Sequence, residues 1–123
     1  MTNGVLEDVI IANEEQISLT LKLLQQGRAE NNVKIGCNEA TKALNKGKAH
    51  LIVIASDCKP IEILGNLPIL CLDKDVPIIA LPSQEAIGQA LDLQRPVIAS
   101  ALISETEMAA ERIEKKVREI LNG

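Results

Sequence analysis

The sequence predicts one α/β layered domain, and three observations carry that reading. Leu51 to Ala55 is a continuous apolar, β-branched run of the kind found in a buried central strand. Segments with apolar residues at helical spacing alternate with short strand-like runs along the chain. No internal repeat appears in the 123 residues, so the alternation describes one layered unit. At this length a single core is expected, burying roughly two thirds of the unfolded surface. The expected domain is 1–123, with Met1 to Gly4 a loose end.

In chain order, Leu6 to Leu24 carries Ile17, Leu21 and Leu24 at helical spacing. Glu14 and Glu15 suit the early part of that helix, which is expected to stop near Gly27. Arg28 to Asn32 reads as a loop and Val33 to Ile35 as a short strand. Gly36 opens a second helix that Gly47 closes. After the Leu51–Ala55 strand, Ser56-Asp57 turns the chain. Lys59-Pro60 starts a helix whose inner side is Ile61, Leu64 and Leu67, and Pro68 is expected to end or distort it. Ile69 to Leu72 reads as a brief helical turn before the acidic turn Asp73-Lys74-Asp75. Val76 to Leu81 is the next strand, and Ser83 caps a helix holding Glu85, Ala86, Ile87 and Ala90. Val97 to Ile103 is the last strand. Ser104 with Glu107 forms a capping box for a final helix with Met108, Ile113, Val117, Ile120 and Leu121 at core spacing.

Composition narrows the function. The chain is 46% apolar yet has no Phe, Trp or Tyr, so aliphatic residues and alanine must fill the core. Single-strand RNA modules that stack bases on aromatic rings are thereby disfavoured. Cys37, Cys58 and Cys71 are an odd set without C-x-x-C spacing, and His50 stands alone in a strand-like run. Neither a disulfide framework nor a zinc site is supported, and no cofactor is expected. With neither a leader nor an apolar run of spanning length, the chain reads as soluble and intracellular, with no membrane partner.

Charge is distributed unevenly. The net charge is −4, but residues 33–50 hold Lys34, Lys42, Lys46 and Lys48 against Glu39 alone, and the flanking segments are acidic. Such an island suits a specific phosphate contact. Within it, Gly36 leaves the N–H groups of Cys37, Asn38 and Glu39 at the positive end of a helix dipole, a ready anion site. Asn38, Lys42 and Lys46 follow one another at four-residue spacing with Glu39 beside them, while Ala40, Ala43 and Leu44 fall on the opposite, core-facing side. Spacing alone also fits an ordinary amphipathic helix with solvated lysines.

The run Gly36-Cys37-Asn38-Glu39-Ala40-Thr41-Lys42-Ala43-Leu44-Asn45-Lys46-Gly47 resembles the G-x-N-E-x-T-K-x-(L/V)-x-(R/K)-G signature of the kink-turn RNA-binding superfamily, which includes archaeal ribosomal protein L-seven-Ae. Leu51 to Asp57, Pro60 to Leu70, Val76-Pro77 and Arg95-Pro96-Val97-Ile98-Ala99 match further along, and the resemblance covers nearly the whole chain. The last of these runs is most similar to the eukaryotic fifteen-and-a-half-kilodalton branch shared by spliceosomal and box C/D ribonucleoproteins.

The resemblance implies a three-layer α-β-α sandwich around a mixed four-stranded sheet. It implies a protein that clamps a kink-turn, in which sheared G·A pairs widen the groove and one nucleotide is flipped out. Asn38, Glu39 and Lys42 would read the G·A pairs, with Gly36 and Lys34 near the backbone and Lys46 on phosphate. The flipped nucleotide would enter a pocket of Lys59, Ile63, Gln84, Arg95 and Ile98, covered by Leu93. Lys59 stands where relatives carry an acid and Gln84 where they carry lysine, which exchanges part of the pocket's polarity and leaves the identity of the base open. Ile63 and Ile98 also read as core. Expected partners are small nuclear and small nucleolar RNAs and Nop-domain proteins, the protein being monomeric when free and located in the nucleus and nucleolus. A ribosomal or archaeal guide-RNA protein of the same fold, cytoplasmic in the archaeal case, is the nearest alternative.

An enzyme is the more distant alternative. Asp57 at the end of a strand, with Glu62 on the following helix, occupies a position where open α/β sheets keep catalytic carboxylates. No base, nucleophile or metal ligand accompanies the pair, so a turn aspartate and a solvated glutamate are the favoured reading. Neither G-x-x-x-x-G-K-[ST] nor G-x-G-x-x-G occurs.

Overall fold

The structure, a computed structural model, describes residues 9–122. The loose end expected at Met1 to Gly4 lies outside them, as does the expected helix start at Leu6. The elements run β1 (Ile10–Ile11), α1 (Glu14–Ala29), β2 (Val33–Ile35), α2 (Cys37–Asn45), β3 (Ala49–Ala55), a 3-10 turn (Ile61–Leu64), α3 (Leu67–Lys74), β4 (Ile78–Leu81), α4 (Gln84–Ala90), β5 (Ala99–Ile103) and α5 (Glu107–Leu121).

The strands form one mixed sheet in the order β1-β4-β3-β5-β2. β4 runs parallel to both β1 and β3, and β5 runs antiparallel to both β3 and β2. Five strands are present where four were expected. The addition is the two-residue β1, which pairs Ile10 with Ile79 and Ile11 with Ala80. It lies in the stretch assigned from sequence to the first helix, which instead begins at Glu14 behind a capping box. Asn13 Oδ1 accepts the Gln16 N–H at 2.8 Å, and Gln16 Oε1 accepts the Asn13 N–H at 3.0 Å. That helix runs on through Arg28 and Ala29, so the expected loop is shorter.

Side-chain alternation along the strands sorts the core into two layers. Ile52, Ile54, Ile78, Ala80, Ala99, Ala101 and Ile103 face α2 and α3, meeting Ala40, Ala43, Leu44, Leu67 and Cys71. Leu51, Val53, Ala55, Ile79, Leu81 and Leu102 face α1, α4 and α5, meeting Leu23, Leu24, Ile87, Leu91, Ile113, Val117 and Ile120. This is the expected three-layer sandwich, built without an aromatic ring. Alanine on both sides of the first interface lets α2 lie close against β5, so the sheet holds the basic helix firmly.

Three local expectations are corrected. Pro68 does not end a helix; it sits in the first turn of α3, where its missing N–H is one that has no intrahelical acceptor anyway. The cap of α5 is Thr106, whose Oγ1 accepts the Ala109 N–H at 3.1 Å. Ser104 stays with the end of β5: its N–H donates to Lys48 O at 3.3 Å and its hydroxyl shares a 2.6 Å hydrogen bond with His50 Nε2. Met108 and Leu121 are not core, being 79% and 36% exposed. At ~100° per residue, Met108 lies about 140° around the helix from Ile113, and Leu121 one step from Ile120.

Candidate nucleic-acid interface

The start of α2 is set by Gly36, which adopts φ 100°, ψ 156° and offers no side-chain cap. Its N–H donates to Ala99 O at 2.8 Å and its carbonyl accepts the Ala40 N–H at 2.9 Å, so both β5 and the helix fix it. An added Cβ would meet nothing within 4 Å. Backbone conformation, in a region open essentially to glycine alone, selects this residue.

On the first two turns of α2, Asn38 and Lys42 are exposed and Glu39 is half-buried, while Ala40, Ala43 and Leu44 are buried. Lys42 Nζ lies 3.4 Å from Glu39 Oε2, an ion pair across one turn that holds both groups on the solvent face. Thr41 Oγ1 donates to Cys37 O at 2.8 Å. The half-buried Cys37 thiol reaches Ile63 O at 3.9 Å, tying the helix start to the 3-10 turn. Burial, and then the neighbouring Cys58, push the Cys37 pKa upward. Lys34 lies on β2 opposite Ala101, exposed at the sheet edge, and Lys46 is the exposed C-terminal cap of α2.

The residues expected around an extruded nucleotide are placed by three segments. Lys59 and Ile63 lie on the loop after β3, where the Lys59–Pro60 peptide is cis. Ile63 is 54% exposed and not part of the core, whereas Ile98 is half-buried and packs against the α2–α3 layer. Gln84 begins α4 with its side chain engaged: Nε2 lies 3.3 Å from Asp57 Oδ1, and the Gln84 N–H donates to the same oxygen at 3.1 Å. Its carbonyl accepts the Val97 N–H at 3.0 Å, and Ile98 O accepts the Ala55 N–H at 2.9 Å. A cavity of about 260 Å³ is lined by Glu85, Gln89, Leu93, Gln94, Arg95 and Pro96. It gathers Leu93 and Arg95 and leaves Lys59, Ile63, Gln84 and Ile98 outside its lining.

Two residues matter here that sequence reasoning did not assign to the interface. Gly88, buried in α4, lets the chain pass at Arg95–Pro96: a Cβ there would stand 2.0 Å from Arg95 O. A glycine in the middle of a helical pattern was the available signal. Asp57, weighed as a catalytic candidate, ties the turn after β3 to the start of α4, with its carboxylate taken up by Gln84. Glu62 is exposed on the 3-10 turn.

Residues 19–111 match the Ribosomal protein L7Ae/L30e/S12e/Gadd45 family. The chain belongs to that family. It is 46% identical over 92 residues to the 13 kDa ribonucleoprotein-associated protein of Candida glabrata, an alignment covering 75% of this chain and 73% of that one. The Saccharomyces cerevisiae protein of the same name is 49% identical over 82 residues, 67% of this chain and 65% of its own length. The NHP2-like protein 1 homolog of Drosophila melanogaster is 42% identical over 92 residues, 75% and 72% of the two chains. Among solved structures, the Giardia lamblia 15.5kD RNA binding protein superposes with a TM-score of 0.83 at 34% identity, covering 94% of this chain and 95% of that one.

Proposed function

We propose that this L7Ae-family chain is a non-catalytic RNA-binding protein that recognises kink-turns and nucleates assembly of spliceosomal and box C/D small nucleolar ribonucleoproteins. The observation that carries the reading is α2. Its glycine start leaves the first-turn N–H groups without a side-chain cap, and its solvent face carries Asn38, Glu39 and Lys42 on a helix seated against the sheet. The relatives' names, ribonucleoprotein-associated and RNA binding, support it.

The chemistry follows from the groups. Asn38 offers a donor and an acceptor to a base edge, Glu39 accepts from an amino group, and Lys42 reaches an acceptor or phosphate. A-form RNA hides its major-groove edges, so these groups need a locally opened helix, which a kink-turn provides. The 3.4 Å Glu39–Lys42 pair holds both side chains together on the solvent face of the helix in the free protein. Each then exchanges a solvent-screened partner for a base. Lys59, Ile63, Gln84, Leu93, Arg95 and Ile98 surround the extruded nucleotide in this reading. Nop-domain proteins bind the composite surface, and the protein works as a monomer in the nucleus and nucleolus.

Glu39→Ala is expected to weaken kink-turn binding by about 1 to 3 kcal/mol and to leave binding to plain duplex unchanged, because base contacts specify and phosphate contacts do not. Titration of both RNAs decides it. Equal losses on the two would refute base reading by this helix.

A further inference from the structure

Beyond the base-reading turns of α2, a second charged feature lies at the helix's other end. Three segments converge there. Gly47, at φ 72°, turns the chain after α2, and the Lys48 N–H returns to Ala43 O at 3.0 Å. The turn after β5 is fixed beside it by the 3.3 Å hydrogen bond from the Ser104 N–H to Lys48 O. β2 is fixed by the Ile103 N–H donating to Asn32 O at 2.8 Å, two residues before Lys34. Lys48 Nζ meets Glu105 Oε2 at 2.9 Å, with the two side chains 42% and 56% exposed. The Glu105 carboxyl is held below the usual range, first by the hydrogen bond and charge of Lys48 and also by Lys34 and Lys46. One carboxylate is therefore bonded to one ammonium group and stabilised by the charge of two more.

We propose that Lys34, Lys46 and Lys48 form a phosphate cradle for an RNA stem and that Glu105 occupies it in the free protein as a built-in competitor. The inference rests on the RNA-binding reading above and adds Lys48 and Glu105 to it. A carboxylate and a phosphodiester present the same thing to a lysine: one negative charge shared by two oxygens. Glu105 is tethered through the β5–α5 turn, so it is always at hand. Its pairing is solvent-exposed and correspondingly weak, which lets a stem phosphate displace it. The carboxylate lowers affinity for any phosphate backbone evenly, so the ratio of kink-turn to duplex affinity is left to base reading by α2.

The test is binding of wild type, Glu105→Gln, Lys48→Gln and the double variant to a kink-turn and to a plain duplex, each across a salt series. Glu105→Gln is expected to tighten both RNAs about two- to fivefold at low salt, with the gain fading as salt rises. Lys48→Gln is expected to weaken both and to lower the salt slope by roughly one phosphate's worth. In the Lys48→Gln background, Glu105→Gln should do less. Unchanged or weakened binding by Glu105→Gln, in protein whose melting curve matches wild type, overturns the inference. Failure of wild type to prefer the kink-turn over duplex overturns the kink-turn reading instead and leaves the Glu105 comparison intact on duplex. If no variant binds RNA, both fall.

Discussion

Substituting Gly88 by alanine tests whether the Arg95–Pro96 segment is positioned by contact with α4. The added methyl would lie 2.0 Å from Arg95 O, 3.1 Å from Arg95 C and 3.4 Å from Pro96 Cα, all of them backbone atoms. Ordinary methyl–oxygen contact needs more than 3.0 Å, so the two segments must separate by about 1 Å. Neither side yields easily. The Gly88 carbonyl accepts the Leu93 N–H at 2.9 Å, and Gln84 O accepts the Val97 N–H at 3.0 Å, so α4 and the loop are bonded on both sides of the clash. Overpacking of this kind costs about 1 to 3 kcal/mol, and each kcal/mol lowers Tm by roughly 3 to 5 °C in a chain of this length.

Function should change more selectively than stability. Leu93 and Arg95 line the cavity beside α4 and move with the loop, whereas Asn38, Glu39 and Lys42 stand on α2 across the sheet. Gly88→Ala is therefore expected to weaken an intact kink-turn at a temperature well below its Tm, with a much smaller effect on a kink-turn lacking the extruded nucleotide. The assay pairs a thermal melt with titrations of both RNAs. An unchanged Tm would refute the steric argument; equal losses on both RNAs would refute the placement of Leu93 and Arg95 at the nucleotide.

Two further outcomes are expected. Ile63→Ala should change stability by less than about 0.5 kcal/mol, since Ile63 is already 54% exposed, while weakening kink-turn binding by about 1 to 3 kcal/mol. Ile98→Ala, at a position packed against the core, should cost about 1 to 3 kcal/mol of stability; chemical denaturation of the pair distinguishes them, and a stability loss at Ile63 would count against its solvent-facing role. The Cys37 thiol, its pKa raised, should alkylate more slowly than a free cysteine near neutral pH and speed up only at a pH above the usual thiol range, because the thiolate is the nucleophile. Cys71, fully buried and pushed up to about 12, should not react in the folded state, and bound kink-turn RNA should protect Cys37; rapid labelling of Cys37 with RNA in place would put the helix start outside the interface.

Much of the fold was legible because its signals are local and periodic. The Leu51–Ala55 run became the centre of the sheet, and Ala40, Ala43 and Leu44 became the buried stripe of α2. What was misread depended on partners distant in sequence. The two residues of β1 form a strand because β4 offers a parallel edge; Ile10–Ile11 is β-branched and Asn13 with Gln16 is a capping-box pattern, yet a two-residue run is too short to stand as a strand without that edge. Ser104 and Thr106 are both good caps; β5 decides between them by extending to Ile103 and holding Ser104 against Lys48 and His50. Pro68 reads as a stop signal from sequence, whereas it opens α3, because a proline's sign depends on whether the helix lies before or after it.

The site divides along the same line. The α2 residues could be placed from spacing, since one helix presents them all. The arrangement around Gln84 could not, because it joins the turn after β3, α4 and the segment leading into β5 through bonds to Asp57 and Val97 that no single segment encodes. Gln84 shows the consequence. Read from sequence, its amide is an exchange of polarity at the nucleotide pocket; in the structure it is engaged by Asp57, so its polar capacity is partly taken up before any ligand arrives. If the proposed pocket receives a base, its edge would either compete for the Gln84 amide or be met by donors such as Lys59 and Arg95, both exposed. Since Lys and Arg side chains are donors only, the second route would favour a base that presents acceptors, and the specificity of the proposed pocket would then depend on the Asp57–Gln84 hydrogen bonds behind it.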